Sequence, residues 1–393
     1  MKILIVVPAF DNGGTITSLK NILPKIDRER CEIDVFPITN SGPNYDSVAQ
    51  FAHIIGERID GKETDTYSFK ETAYRSAFKI VKSFKKLLCG FGYDPSLLFF
   101  RKVVKKLQKN KYEEVIAFQE GQATRFVGLF SGVRKVAWVR CDYSKIGEDV
   151  INTDIKEETY SKIDRIICVS DYTRSMFIKT ITSVGHKTIA IHNLISIKTI
   201  VNKGGLVPDD VSFDNCLSLR FVSIGRLAPV KQFSLIPEIA YSLKKKGLDF
   251  CWFIIGGDDS DKELIELNIE KYDVADCVKL LGNKNNPYPY IKKADALVCT
   301  SLSEACPNVL NEAKILGTPI VSTQFGSVGE MMTDGVEGLV TSIEKMDEAI
   351  FRLFEEEGLY KKIKANLSNY RYDNNLILEK LNKETSLRFY NEK

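Results

Sequence analysis

Apolar positions along this chain come in short unbroken runs separated by amphipathic stretches. Residues 3–7 read ILIVV, and the polar turn Asp11-Asn12-Gly13-Gly14 follows soon after. A run that is apolar at every position suits a strand covered on both faces, as in a parallel sheet. A helix is expected over about 15–23, and strand-like runs recur at 32–37, 114–118, 135–139, 164–170 and 188–193. A second series follows, with strands at 220–224, 249–256, 278–281, 296–300 and 320–323, and a short last one around 338–340. Its helices are expected over about 233–246, from near 262, and from 307 to 316; the tail 346–393 reads as helical throughout. Strands alternating with helices through both halves predict an α/β protein of two doubly wound, Rossmann-like domains facing across a cleft. The junction is expected over 198–217, where Lys203-Gly204-Gly205, Pro208 and Asp209-Asp210 give loop composition. The expected domains are therefore 1–197 and 218–371, with a final helix over about 372–393 packing back on the first.

Length agrees with this division, since 393 residues exceed what one core usually organises. Hydrophobic content of 44% and charged content of 27% are those of a soluble globular protein, and a net charge of +3 selects no partner. The nine cysteines form no C-x-x-C pair, and Cys168, Cys251 and Cys299 sit inside apolar runs. That usage reads as a reducing cytoplasm. The opening apolar run is too short for a signal sequence, and no run of ~20 apolar residues follows, so a membrane span is not expected.

Charge is unevenly spread. Over 67–111 there are Lys70, Arg75, Lys79, Lys82, Lys85, Lys86, Arg101, Lys102, Lys105, Lys106, Lys109 and Lys111, against only Glu71 and Asp94. Phe and Leu are interleaved, which suggests two basic amphipathic helices around a Phe-Gly-Tyr-Asp-Pro turn. One reading is attachment to an anionic membrane surface, with the protein peripheral on the inner face of the cell membrane. The other is two ordinary helices with a solvated basic side. No nucleic-acid-binding motif accompanies the basic segment, so nucleic acid is not an expected partner.

Candidate chemistry concentrates in 294–323. The strand at 296–300 leads through a polar loop to a helix that Pro307 can open and Gly317 can close. Glu304 lies in the loop and Glu312 inside the helix. The free N–H groups of the first helical turn make an anion site between them. A nucleoside diphosphate sugar has the matching shape: phosphate at the helix tip and a hydroxylated ring at each carboxylate. Earlier, Gly225-Arg226 follows a strand and Lys231 comes five residues later. Two cations there could clamp a diphosphate and neutralise charge on it as it leaves. Either carboxylate or either cation alone would be an ordinary surface residue. His53 and His186 read as surface or loop residues, and His192 as a hydrogen-bonded residue at a strand end. No zinc-ligand spacing appears, and Asp258-Asp259-x-Asp261 reads as a loop with a helix cap, so no metal and no cofactor are expected. Neither a G-x-S-x-G nor a Walker loop is present.

These residues resemble a family. Gly-Arg-Leu-Ala-Pro-Val-Lys-Gln-Phe (225–233), Ser-Glu-Ala-Cys-Pro-Asn-Val-Leu-Asn-Glu-Ala (303–313) and the segment from Thr318 through Gly326 to Val340 resemble the donor half of the retaining glycosyltransferases of family 4, which have the GT-B fold. The Glu-x7-Glu spacing is the most specific part. In the first half, Gly13-Gly14 resembles the family's glycine loop and 137–144 the strand end lining the acceptor side; 167–174 and 191–195 also have counterparts. The resemblance implies that Arg226 and Lys231, with Gly225, hold the donor diphosphate. It implies that Glu304 binds donor-sugar hydroxyls and Glu312 the ribose. The backbone of Cys306, Pro307, Asn308 and Val309 would meet phosphate or sugar, Gly282 and Asn283 the base, and Gly13 and Gly14 phosphate and acceptor.

The family acts without a metal, with retention of configuration, through front-face attack assisted by the leaving phosphate. The chain departs from it at Ala305-Cys306, where the family has Gly after the first Glu, and at Gln232, where it has Gly. It also has Arg140 where many relatives carry His. Arg140 cannot shuttle a proton; it could bind an acceptor phosphate, leaving Asp142 as the nearest candidate base. The expected activity is transfer of a hexose-type sugar from a nucleotide diphosphate sugar, UDP-linked by preference, to a hydroxyl of a lipid-linked acceptor or growing surface polysaccharide. The alternatives are a same-fold epimerase or soluble-acceptor synthase, or a catalytically degenerate sugar-nucleotide-binding module.

Overall fold

A computed structural model describes residues 1–56, 96–145, 157–257 and 260–390. The basic residues expected between 67 and 95, and the Asp258-Asp259 pair, lie outside them. The chain forms two compact units, one of Met1–Leu194 with Asn375–Lys393 and one of Ile195–Asn374.

The first unit is built on a seven-stranded sheet. Its strands are β1 (Lys2–Val7), β2 (Glu32–Pro37), β3 (His53–Ile54), β4 (Glu114–Ala117), β5 (Arg134–Val139), β6 (Arg165–Cys168) and β7 (Thr188–Ala190). All pairs are parallel, in the order β3-β2-β1-β4-β5-β6-β7. Ile3 through Val7 are wholly buried, as a strand with helices on both faces requires. Leu4 and Val6 join a core with Phe126, Phe177 and the inner side of the helix Ser96–Leu107, namely Phe100, Val104 and Leu107.

The second unit has six strands: β8 (Leu219–Ile224), β9 (Phe250–Ile255), β10 (Val278–Gly282), β11 (Ala296–Cys299), β12 (Ile320–Thr323) and β13 (Gly338–Thr341). They are again all parallel, in the order β10-β9-β8-β11-β12-β13. Alternate residues serve two different cores. Phe221, Trp252, Ile254, Ala296 and Val298 face one cluster, while Val222, Phe253, Ile255, Leu297 and Cys299 face the other. The period of two thus survives in a strand with no polar side. The buried Trp252 indole donates to Ser223 Oγ at 3.0 Å, and Ser223 Oγ donates to Val298 O at 2.7 Å, so this polar pair inside the sheet is satisfied.

Three expectations are corrected. Residues 198–217 are not a free linker: Ile197–Gly204 is a helix of the second unit. Gly204 does not mark a loop. A Cβ on Gly204 would lie 2.6 Å from Leu316 Cδ2, so glycine is what lets this helix approach the helix Asn308–Leu316. The tail is not helical throughout. After the helices Met346–Glu355, Leu359–Ser368 and Asn374–Glu384 the chain turns extended, and Phe389 bridges antiparallel to Ile26. Lastly, the helix expected over 233–246 begins as a 3₁₀ turn, Phe233–Leu235, and becomes α-helical over Ile236–Lys245.

The extended end is anchored by a buried carboxylate. Glu114 is fully buried at the start of β4, and both of its oxygens accept the Ser386 N–H at 3.0 Å. Ser386 Oγ donates to it at 3.1 Å and Arg134 pairs with it at 3.2 Å. Burial pushes its pKa up, and the Ser386 and Arg134 contacts pull the other way. Removing one partner of such a buried set is costly, because the others are left unsatisfied. Glu114→Ala is expected to destabilise the protein by about 3 kcal/mol, and Glu114→Gln by less, since it keeps an acceptor. Urea unfolding midpoints test this; an unchanged midpoint for the alanine variant would refute the anchoring role.

Candidate functional site

In the second sheet the order of strands reverses between β8 and β11, so the loops leaving these neighbours open a crevice at their carboxyl ends. Gly225, Arg226 and Lys231 lie on the loop after β8. Glu304 lies on the loop after β11. The two loops are stitched together: Leu302 N donates to Val230 O at 2.8 Å, and Thr300 Oγ1 to Lys231 O at 2.7 Å. Gly225 leaves room for the lysine, since a Cβ there would come within 3.1 Å of Lys231 Cε.

Lys231 and Glu304, far apart in sequence, form a direct ion pair through Nζ and Oε1. Only 17% of the lysine side chain and 14% of the glutamate side chain are exposed. Burial pulls the Lys231 pKa down, but the Glu304 charge, with Cys299 and the hydrogen bond to Glu304 adding, more than offsets it; the net direction is up. Ser301 Oγ donates to the same Glu304 oxygen at 2.8 Å, and Ser327 Oγ holds the Glu304 carbonyl at 2.8 Å. Lys231, Ser301, Glu304 and Val309 line one narrow recess. Arg226, on the surface nearby, opposes the charge on Lys231.

The helix Asn308–Leu316 begins at Pro307, in extended conformation, and no side chain caps it. Gly317, with φ of 75°, closes it. Cys306, just before it, places its thiol 3.8 Å from Met331 Sδ. Gly282 ends β10 with φ of 66°, and Asn283 is exposed beyond it. Gln232 takes the left-handed conformation, φ 53°, that explains glycine at this position in the resembling family. Ala305 is not among the positive-φ residues, so the other departure from glycine strains nothing in the backbone.

Glu312 lies within the helix, 8% exposed, with no hydrogen bond or ion pair to its carboxylate among the described residues. Burial alone pushes its pKa up to about 7, and the Tyr288 phenol feels its charge. Two helical positions away, Lys314 is also buried and its pKa is pulled down to about 8, yet it donates to Met331 O and lies 4.5 Å from the Tyr370 ring. Lys314 thus has protein partners for its charge, whereas Glu312 has no hydrogen bond or ion pair among the described residues.

The first unit places its candidates at the same end of its own sheet. Gly13 and Gly14 follow β1 and open the helix Gly14–Ile22, and a Cβ at either would meet nothing within 4 Å. Arg140 follows β5. Its Nε donates to Phe118 O at 2.8 Å and Nη1 to Asn193 Oδ1 at 2.9 Å, with the guanidinium 4.2 Å from the Phe118 ring. Ser18 Oγ donates to the same Asn193 oxygen at 3.0 Å. Asp142 is buried, and its Oδ1 accepts from Ser144 N at 2.9 Å and Ser144 Oγ at 2.7 Å, closing a local turn. Of the histidines, His53 contacts Asp34 at 2.8 Å across the amino ends of the strands. Among the described residues no group of His, Cys, Asp and Glu could hold a metal ion. Sequence reasoning missed Ser301 and Asn193, and only their position just past a strand end signals them.

Together the two sheets are the GT-B fold. The chain matches the Anabaena protein Alr3699/HepE, solved in complex with UDP and glucose, at a TM-score of 0.72 and 16% identity, covering 98% of each chain. Residues 218–370 match the model of the family described as glycosyl transferases group 1. Among curated relatives, the chain is 25% identical over 285 residues, 72% of each chain, to the Campylobacter jejuni N-acetylgalactosamine-N,N'-diacetylbacillosaminyl-diphospho-undecaprenol 4-alpha-N-acetylgalactosaminyltransferase. It is 33% identical over 128 residues to the amylovoran biosynthesis glycosyltransferase AmsK of Erwinia amylovora, covering 30% of this chain and 31% of that one.

The Glu312 environment makes a pH prediction. In the unfolded chain a glutamate titrates at ~4.3, well below its value of about 7 here. Between these values the fold binds more protons than the unfolded chain, so stability falls as pH rises through that window. The penalty is complete above about pH 7, on the order of 3 kcal/mol. Glu312→Gln is therefore expected to raise the melting temperature at pH 8 and to give little or no gain near pH 4.5. Equal shifts at both pH values would show that the carboxylate is not strained by burial.

Proposed function

We propose that this protein is a retaining, metal-independent glycosyltransferase. It moves a hexose-type sugar from a nucleotide diphosphate sugar, UDP-linked by preference, to a hydroxyl of a lipid-linked or growing surface polysaccharide. The observation that carries the donor half is Glu312: a largely buried carboxylate with no protein hydrogen bond or ion pair among the described residues, on a helix whose start has no side-chain cap and adjoins the Lys231–Glu304 pair. Such a group is a standing cost that a ribose hydroxyl pair would offset. In this reading Arg226, Lys231, Gly225 and the N–H groups at Cys306 to Val309 take the diphosphate, Glu304 the sugar, and Gly282 and Asn283 the base. UDP in the HepE complex supports a uridine donor.

On the acceptor side, Gly13, Gly14 and Arg140 would meet the acceptor. The name of the Campylobacter relative, which describes a diphospho-undecaprenol substrate, supports a lipid-linked one. Asp142 is tied into its own turn, so proton removal falls to the leaving phosphate, with Asp142 positioning the loop.

Membrane attachment is proposed to be peripheral and cytoplasmic. The helix Ser96–Leu107 turns Arg101, Lys102, Lys105 and Lys106 outward, and Lys109 and Lys111 continue the basic side. Its Phe100, Val104 and Leu107 are used in the core, so this part of the segment supports electrostatic docking rather than insertion of apolar side chains. No helix among the described residues is long and apolar enough to cross a membrane.

Thermal-shift screening with UDP, GDP, ADP and CMP compounds tests the donor. UDP compounds are expected to stabilise by mass action, Glu312→Ala to weaken that binding, and Glu304→Ala mainly to slow sugar transfer. Wild-type kinetics in both variants would remove the site assignment. Cosedimentation with anionic vesicles tests docking: reversing Arg101, Lys105 and Lys109 to Glu is expected to abolish binding at moderate salt, and undiminished binding would exclude this helix.

A further inference from the structure

The pair that meets in the second unit has a consequence beyond assigning one residue to phosphate and the other to sugar. Lys231 is the cation offered to the donor diphosphate, yet its ammonium is already bonded to Glu304 Oε1. That contact is not a chance meeting of two flexible surface groups. Ser301, only 2% exposed, donates to the same carboxylate oxygen at 2.8 Å and is itself approached by the Cys299 thiol at 3.5 Å. The lysine backbone is fixed by Thr300 and the glutamate backbone by Ser327. Both partners are therefore delivered to one place by anchored loops.

We infer that Glu304 is an internal competitor for the donor diphosphate, seated on Lys231 by Ser301, and that this competition makes the site favour the intact sugar nucleotide over the bare nucleotide. This inference rests on the donor-site reading above. Carboxylate and phosphate oxygens are comparable acceptors for an ammonium, so an arriving diphosphate oxygen competes with Glu304 for the Lys231 N–H directed at it and weakens that bond. A displaced, largely buried carboxylate is costly unless new donors reach it. The hydroxyls of a donor sugar are such donors, and a nucleoside diphosphate has none to offer at that position. The intact donor thus exchanges one satisfied arrangement for another, whereas the product nucleotide leaves the Glu304 carboxylate with Ser301 alone and is returned to solvent as the pair re-forms. Ser301 acts here as a positioning residue, since it holds the competing oxygen in place.

Isothermal titration of full-length protein with UDP and with UDP-glucose, alongside steady-state kinetics, tests the inference. Glu304→Gln removes the competing charge while keeping the size of the side chain. It is expected to bind UDP on the order of tenfold more tightly, about 1.4 kcal/mol, without tightening UDP-glucose to the same degree, and to turn over more slowly. Ser301→Ala, a smaller change, is expected to shift the ratio of UDP to UDP-glucose affinity in the same direction and to less extent, with a fall in kcat rather than a rise in KM. A Glu304→Gln or Ser301→Ala protein that binds UDP no more tightly than a wild type that does bind it overturns this inference and leaves the donor site standing. A wild type that binds neither UDP nor UDP-glucose overturns both.

Discussion

Parallel strands must be joined by crossovers, and in each unit the crossovers change direction once. At that point two neighbouring strands send their loops away on opposite faces of the sheet, and the backbone ends between them have no cover of their own. In the second unit this occurs between β8 and β11. Everything distinctive about the site follows from that adjacency. Lys231 and Glu304 meet because the loops leaving these two strands are neighbours, and the bonds from Thr300 and Leu302 to the β8 loop hold them in register. Shift β11 to another place in the order and the same residues would be isolated surface charges.

The buried charges of the chain separate by how well they are satisfied. Glu114 accepts several hydrogen bonds and an ion pair, and it fixes the end of the chain. Lys314 has a carbonyl and an aromatic face. Lys231 and Glu304 have each other. Glu312 alone among these has no hydrogen bond or ion pair among the described residues, and burial raises its pKa. A fold under pressure only for stability would have a glutamine or an apolar residue at this position. The asymmetry within one helix, where Lys314 is satisfied and Glu312 is not, is what the proposed ribose contact rests on.

The strands were the most legible part of the sequence, because a run apolar at every position admits few alternatives. Their ends were less so: the run at 188–193 pairs only over Thr188–Ala190, since the chain then leaves the sheet to carry His192 and Asn193 past its edge. The helix Ile197–Gly204 was hidden by Gly204, whose role is close packing against Leu316, and by Gly205, which only ends the helix. The extended end of the chain was hidden because its partners, Ile26 and Glu114, are remote in sequence and no local pattern encodes such pairing. For the site, spacing singled out Arg226, Lys231, Glu304 and Glu312. It could not show that the second and third of these bond each other, or that the fourth is buried without a partner, because both facts depend on strand order and helix rotation. Ser301 carried no signal, as serine is common in such loops.

The two positions where the chain departs from glycine show how differently one residue type can matter. Gln232 sits in the left-handed region directly after Lys231, a conformation costing a non-glycine residue roughly 1 kcal/mol. It is retained between the end of one 3₁₀ turn and the start of the next, where Leu235 N closes onto its carbonyl at 3.0 Å. The strain is thus held by hydrogen-bonded turns on both sides, and it fixes the direction in which Lys231 leaves the backbone. Ala305 has no positive φ and is only 7% exposed, so a methyl there fills space next to Glu304 instead of straining the chain. One departure acts on the backbone behind the lysine and the other on the packing behind the glutamate. Both leave the pair itself intact, which is the outcome to expect if the pairing of those two side chains is the constraint and the residues around it are the means of meeting it.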